Sequence, residues 1–442
     1  MVDVDLVVAG AGGGLAGAVR AAELGLDVLV VEADAHFLRG NNTSMSTAMI
    51  PGAGSRFQRA AGIEDSPELF LADIAAKTRD EADERVATAL AHVGAELVEW
   101  LADHVGVPIE LPTDFAYPGH SVQRVHTVPG RHGSTLLRAL ADAVTASERI
   151  DLLTPARLVD VRQGTTAVVE HPDGRREEIT AGAVLLATNG YGADPDLVRT
   201  HLPEIAGATY HGSAHSRGDA LRIGVALGAA TGCLDAYQGH AGLSTSAQTL
   251  VTWATVMHGA VVVDRDGHRF GDETCGYSEY AALLAARPGG RGWVVLDERI
   301  DALCRPFADY RDVVGSGAVR RGATVEELAG RIGVPAAALG AELTGPERFG
   351  RTPALTPPYL AVEIVPALFH TQGGLLVDGD AQVLDAAGDP LGGLYASGGA
   401  AVGMSGHGAA GYLAGNGLLP ALGLAYLAAN HLAAVPSRER VR

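Results

Sequence analysis

The sequence predicts an α/β protein in which a Rossmann-like nucleotide-binding domain is interrupted by an inserted α+β domain. Three observations lead there. The chain opens on a short apolar strand that ends in glycines and passes into a helix. Two later segments, around 183–191 and 393–425, again run a buried strand into a glycine-rich turn. Between those two, the chain carries a hairpin signal and short helices instead. At 442 residues and 47% hydrophobic, it has material for two or three domains of ~100–200 residues with sizeable cores.

Residues 4–9 (VDLVVA) read as a buried parallel strand, a short β-branched run ended by glycines. Gly10, Gly12, Gly13 and Gly14 form the turn, Leu15–Leu24 reads as a helix, and Asp27–Val31 is a second strand ending at Glu32. This is the logic of a dinucleotide site. Glycines let the backbone approach a pyrophosphate, the helix N-terminus attracts its charge, and an acid ~20 residues on binds a ribose hydroxyl. The fingerprint departs from pattern in its third glycine. Counted forward from Gly10, that place falls on Leu15; counted back from Glu32, it falls on Gly14, and a one-residue contraction of the turn reconciles the two.

In the middle region, Val261–Phe270 (VVVDRDGHRF) is strand, Asp-Gly turn, strand, a hairpin signal. Residues 323–341 give two helix starts, with Thr324 as N-cap and Pro335 opening the second. Composition removes other classes. The 52 acidic residues outnumber the 33 Lys and Arg, so the formal charge is −19 and no basic footprint for nucleic acid exists. Cys233, Cys275 and Cys304 are scattered, odd in number and without a CxxC pair, which implies neither a disulfide framework nor a metal site. The N-terminus lacks the basic start of a signal peptide, and no run of ~20 apolar residues stands anywhere in the chain. A soluble, cytoplasmic protein is expected.

Four segments carry a family resemblance. Arg39–Ser46 (RGNNTSMS), Ala183–Tyr191 (AVLLATNGY), His370–Asp378 (HTQGGLLVD) and Gly393–Ala425 resemble, in this order, the flavoprotein superfamily of fumarate reductases and succinate dehydrogenases, which also holds the 3-ketosteroid dehydrogenases. The resemblance implies FAD, and the absence of a histidine from 39–46 implies noncovalent attachment. It places the cofactor against Gly10, Gly12, Gly13, Gly14, Leu15, Glu32, Ala33 and Ala156. Arg39, Asn41, Asn42, Thr43, Ser44, Met45 and Ser46 pass beside the flavin, as do Ala187, Thr188, Asn189, Gly190, Gly398 and Gly399. Asn416, Gly417, Leu418 and Leu419 aim a helix N-terminus at the ring. On this reading the FAD-binding domain comprises 1–232 and 370–442, and 233–369 is a substrate-capping domain with substrate held between the two.

Members of the superfamily run two opposite reactions. Fumarate reductases saturate, with a proton from an arginine; ketosteroid dehydrogenases desaturate, and a tyrosine takes the proton. The motif Gly267-His268-Arg269-Phe270-Gly271-Asp272-Glu273 resembles the one that locates that arginine four residues later, where this chain has Tyr277. The run Gly411–Gly417 resembles the segment of 3-ketosteroid Δ4-(5α)-dehydrogenases that carries a catalytic tyrosine, here Tyr412, although Ala414 replaces their assisting serine. The expectation is therefore desaturation α,β to the carbonyl of a cyclic ketone, 4-oxocyclohexanecarboxylate-like or steroidal. Tyr412 would be the base and Tyr277 the group polarising the ketone, or the reverse, with backbone N–H groups at Gly415–Gly417 completing an oxyanion site. Gln238, His240, His370, Tyr117 and Gly415 are further candidates for substrate contact, and Arg124 and Arg131 for a phosphate, a substrate carboxylate or a surface acid. An ene-reductase and a flavin oxidase are the competing expectations. The electron acceptor (oxygen, quinone or an electron-transfer protein) is unassigned.

Overall fold

The computed structural model describes residues 3–113, 117–162, 165–350 and 354–435. The chain divides into two compact units, one of 1–201, 212–237 and 370–442, the other of 202–211 and 238–369.

In the first unit, parallel strands lie in the order Ile150–Leu153, Val28–Val31, Val4–Ala9, Arg176–Leu186 and Pro390–Ala396. Gln382–Leu384 pairs antiparallel with the last of these. The register sets Val8 between Val30 and Leu185, all three fully buried, as a strand covered on both faces requires. The strand order reverses between Val4–Ala9 and Arg176–Leu186. That reversal leaves a crevice beyond their carboxyl ends, the place where open α/β sheets take ligands.

The opening turn fills that crevice's floor. Gly10 has φ +111°, and a side chain there would strike the Ala187 carbonyl. The first helix spans Gly14–Glu23, one residue ahead of the expected start at Leu15. The shift has a packing reason: a Cβ on Gly14 would sit 2.8 Å from Val8 Cγ1 and 2.9 Å from Ala187 Cβ. Gly14 thus performs the helix-on-strand packing for which the fingerprint reserves its third glycine, and the contracted turn is real.

The second unit is built on a mostly antiparallel sheet in the order Thr249–Leu250, Tyr237–Ser244, Tyr359–Thr371, Gly292–Asp297 and Val261–Val263. The expected hairpin turn exists, with Asp264 N–H bonded to the His268 carbonyl and Gly267 at φ +81°. Its second arm is a single bridge, Val263 to Arg269, instead of a strand. The reason is Arg269, which turns inward to form a fully buried bidentate pair with Glu273, both bonds 2.8 Å. Helices Val325–Ile332 and Ala336–Thr344 follow with Thr324 and Pro335 as their N-caps. No helix among the described residues is long and apolar enough to cross a membrane.

Candidate active site

Five separate stretches of the first unit converge at the crevice. Glu32, at the end of the second strand, is buried and accepts the Ala11 N–H at 2.6 Å and the Asp34 N–H at 2.7 Å. Burial raises its carboxyl above the usual range, opposed by those two backbone donors. Ala156 reaches the same point by donating its N–H to the Glu32 carbonyl at 2.7 Å. Asn41 caps the short helix Asn42–Met45 through the Thr43 N–H, and Gly12 lies against the Asn41 and Thr43 side chains. Asn42 Oδ1 holds the Ser213 N–H at 2.7 Å. Ala187 bonds back to Ala9, Asn189 adopts φ +64° with its amide on Ser216, and Ser397, just before Gly398 and Gly399, bonds to Leu186. Arg39 and Met45 are exposed, and the Leu15 side chain is wholly core.

This cradle fits FAD. The first helix has no side chain capping its N-terminus, so the positive end of its dipole faces a pyrophosphate unscreened by a cap, and close-packed glycines keep side chains out of the way. The closing helix, Leu418–Ala434, likewise starts at Gly417 without a side-chain cap. Beside it Asn416 is 1% exposed, and its Oδ1 is buried with no hydrogen-bond partner.

At that helix start stand His370 and Tyr412. Their rings meet edge-to-face, centroids 6.2 Å apart and planes at 71°. Gly417 makes room for the imidazole, since a Cβ there would lie 2.9 Å from His370 Nε2. Burial pushes His370 down to about 4, so the ring is neutral at pH 7. Tyr412 is 8% exposed. Gly415 takes φ +91° against Pro51, and its carbonyl accepts the Leu419 N–H.

The second unit assembles its own candidates. Gln238 and His240, two residues apart on one strand, share a face and are both buried. His240 stacks on Tyr277 (4.8 Å, 23°) and on Phe369 (5.5 Å, 19°). Its Nδ1 accepts the Gly242 N–H at 2.9 Å, which leaves the proton on Nε2. Burial, with His211 adding to it, pushes this imidazole down to about 3. Tyr277 opens the helix Tyr277–Ala285, and the Arg269–Glu273 pair anchors the turn just before it. The motif that located Tyr277 in the sequence is therefore a buried electrostatic latch.

Two arginine candidates separate. Arg124 is fully buried, held by Asp65 at 2.9 Å and by Asp73, so its charge is spent on internal acids and neither a phosphate nor a surface acid is its partner. Arg131 bonds the Tyr117 hydroxyl at 3.1 Å, which ties those two candidates together. The sequence reading passed over Gln372 and Ser405. Both are buried, and both link His370 to Asn416. Gln372 occupies the variable place of the His-Thr-x-Gly-Gly motif, the one signal that pointed to it.

Comparison with known proteins places the chain in a family. A family model described as FAD binding domain matches residues 5–418. NADH:fumarate oxidoreductase of Klebsiella pneumoniae is 28% identical over 89% of this chain, and the chain spans 44% of that relative's length. A 4-oxocyclohexanecarboxylate 2-dehydrogenase of Sinomonas cyclohexanicum is 28% identical over 97% of this chain and 92% of its own. Among solved structures, 3-ketosteroid delta1-dehydrogenase from Sterolibacterium denitrificans matches with a TM-score of 0.77 over 98% of this chain and 99% of that one. At 23% identity that last likeness is one of fold.

Proposed function

Because the chain belongs to the FAD binding domain family, within the fumarate reductase flavoprotein superfamily, we propose that it is a dehydrogenase that desaturates a small cyclic ketone next to its carbonyl, with FAD held noncovalently. The observation that carries this reading is Tyr412, buried and edge-to-face with His370 at the uncapped start of Leu418–Ala434, in a chain that a 4-oxocyclohexanecarboxylate 2-dehydrogenase matches over 97% of its length. Burial holds the His370 imidazole uncharged at pH 7, and a carboxylate buried beside it would need fixed positive charge. A ketone asks only for hydrogen-bond donors and a base.

The chain's residues then divide the work. Tyr412 Oη takes the proton from the α carbon. Backbone N–H groups at the start of Leu418–Ala434 hold the ketone oxygen as negative charge develops on it, the role the sequence expects Tyr277 to share. His370 supplies wall and polar contact. The buried surroundings of Tyr412 keep water from competing for the α proton. FAD bound in this cradle would supply the acceptor for the hydride of the β carbon.

The test is an anaerobic spectrum of the FAD-loaded protein before and after addition of saturated cyclic ketones, 4-oxocyclohexanecarboxylate and a 3-ketosteroid among them. Bleaching of the flavin band is expected with the small ring. Tyr412→Phe should retain flavin absorbance and slow bleaching by ~100-fold or more, the usual worth of a positioned base. Near wild-type bleaching in that variant sinks the base assignment. The similarity to an NADH:fumarate oxidoreductase favours the opposite direction, and reoxidation of dithionite-reduced protein by an enone, with no ketone bleaching, would establish it.

A further inference from the structure

A row of buried polar side chains runs from the closing helix to His370. Asn416 Nδ2 lies 2.9 Å from Ser405 Oγ, Ser405 Oγ lies 3.0 Å from Gln372 Oε1, and Gln372 Nε2 lies 3.3 Å from His370 Nδ1. Gln372, Ser405 and Asn416 are 4%, 1% and 1% exposed, so water does not compete for these bonds. The Gln372 backbone is fixed at both ends, its N–H on the Ala236 carbonyl and its carbonyl on the Gly403 N–H, each at 2.8 Å.

Such a row has two consistent polarities. In one, Asn416 donates to Ser405, Ser405 donates to Gln372, and Gln372 donates to His370 Nδ1, so the imidazole carries its proton on Nε2. In the other, both amides turn over, every bond reverses, and His370 must donate from Nδ1. The tautomer of His370 and the group Asn416 presents outward are thus a single variable. The first polarity presents Asn416 Oδ1, the buried oxygen that lacks a partner. An orphaned buried carbonyl is destabilising until a ligand N–H reaches it, and the flavin imide is such a donor.

We propose that Gln372 is a positioning residue which, through the Asn416–Ser405–Gln372 row, fixes His370 as its Nε2–H tautomer. His370 is then a hydrogen-bond donor and not a base, and its Nε2–H serves an oxygen acceptor. On the reading proposed above, that acceptor is the ketone oxygen. Among the described residues, the other neighbour of Nδ1 at hydrogen-bond distance is the Thr371 carbonyl at 3.4 Å, which can only accept. Removing the Gln372 donor therefore sends the proton to Nδ1.

The experiment is long-range 1H–15N NMR of the FAD-loaded protein with 15N-histidine, the His370 signal identified by its loss in His370→Asn. Wild type should show the Nε2–H pattern. Gln372→Met, nearly the same size but without a donor, should switch to Nδ1–H, and Ser405→Ala, which frees the amide to turn, should show both. In turnover, Gln372→Met should lower kcat roughly 10–100-fold with a smaller change in KM, since the donor is needed most as charge develops. An Nδ1–H wild type, or an unchanged tautomer in Gln372→Met, overturns the proposal. Should that variant fail to fold, a pure Nε2–H signal in Ser405→Ala does so. The tautomer is read without substrate, so failure of the ketone reading leaves this result standing on its own.

Discussion

The two units hold a neutral histidine by different means. His240, in the second unit, has its Nδ1 pinned by the Gly242 N–H, a backbone donor that cannot reverse. His370, in the first, has its Nδ1 facing a side-chain amide whose two ends are interchangeable. Burial drives both imidazoles well below the ordinary value, so neither is a cation at pH 7. The difference teaches where control lies. A tautomer set by backbone is fixed by the fold, whereas one set by Gln372 depends on residues that a single substitution can change.

The largest expected effect breaks the support of the backbone-pinned side. Among the described residues, Arg269→Met leaves the buried Glu273 carboxylate the Val262 N–H as its donor, the Trp253 side chain lying instead on the Glu273 carbonyl. Loss of one partner of such a pair costs about 3–5 kcal/mol. Gln372→Met breaks neutral bonds only and should cost about 1–2 kcal/mol. Urea unfolding of both variants measures the contrast, and equal losses would mean that the Arg269–Glu273 pair is no anchor.

Acid tests both sides at once. His120, His126 and His370 in the first unit sit at about 4 and His240 in the second at about 3, all pushed down chiefly by burial from 6.5. Between those values the unfolded chain binds protons that the native state refuses. Stability therefore falls as pH drops from about 6.5 to about 4 for the first three histidines and to about 3 for His240, and for these groups levels off below that, by roughly 3 kcal/mol at most for each of the first three and roughly 5 for His240. Unfolding midpoints at pH 7, 5.5 and 4 measure the decline. His240→Asn should make it shallower by one histidine's share, and an unchanged slope would show that His240 is not held neutral.

What the sequence revealed and what it hid follow the same division. The strand at Val4–Ala9, the glycine turn and Glu32 were legible because period and spacing are local, and the family segments at 183–191, 370–378 and 393–425 were legible because glycines in them are packing requirements visible as letters. The start of the first helix moved to Gly14 because the fit of that residue against Val8 and Ala187 is a tertiary matter. Arg124 looked available because its acids, Asp65 and Asp73, lie 59 and 51 residues away in the chain. The Gln372 row was hidden for the same reason: Ser405 is 33 residues from Gln372, and no periodicity joins them.

The smallest expected effect sharpens the comparison from the other direction. Tyr277→Phe removes a hydroxyl and leaves the ring that stacks on His240 at 4.8 Å. Stability should change by no more than ~1 kcal/mol, the net worth of one hydrogen bond. The His240 signal should keep its Nε2–H pattern, because the Gly242 N–H still faces Nδ1. Turnover should nonetheless fall if the hydroxyl holds the ketone oxygen. A tautomer change at His240 in this variant would show that the stacked ring, and not the backbone, sets the proton's place, and the contrast with His370 would collapse.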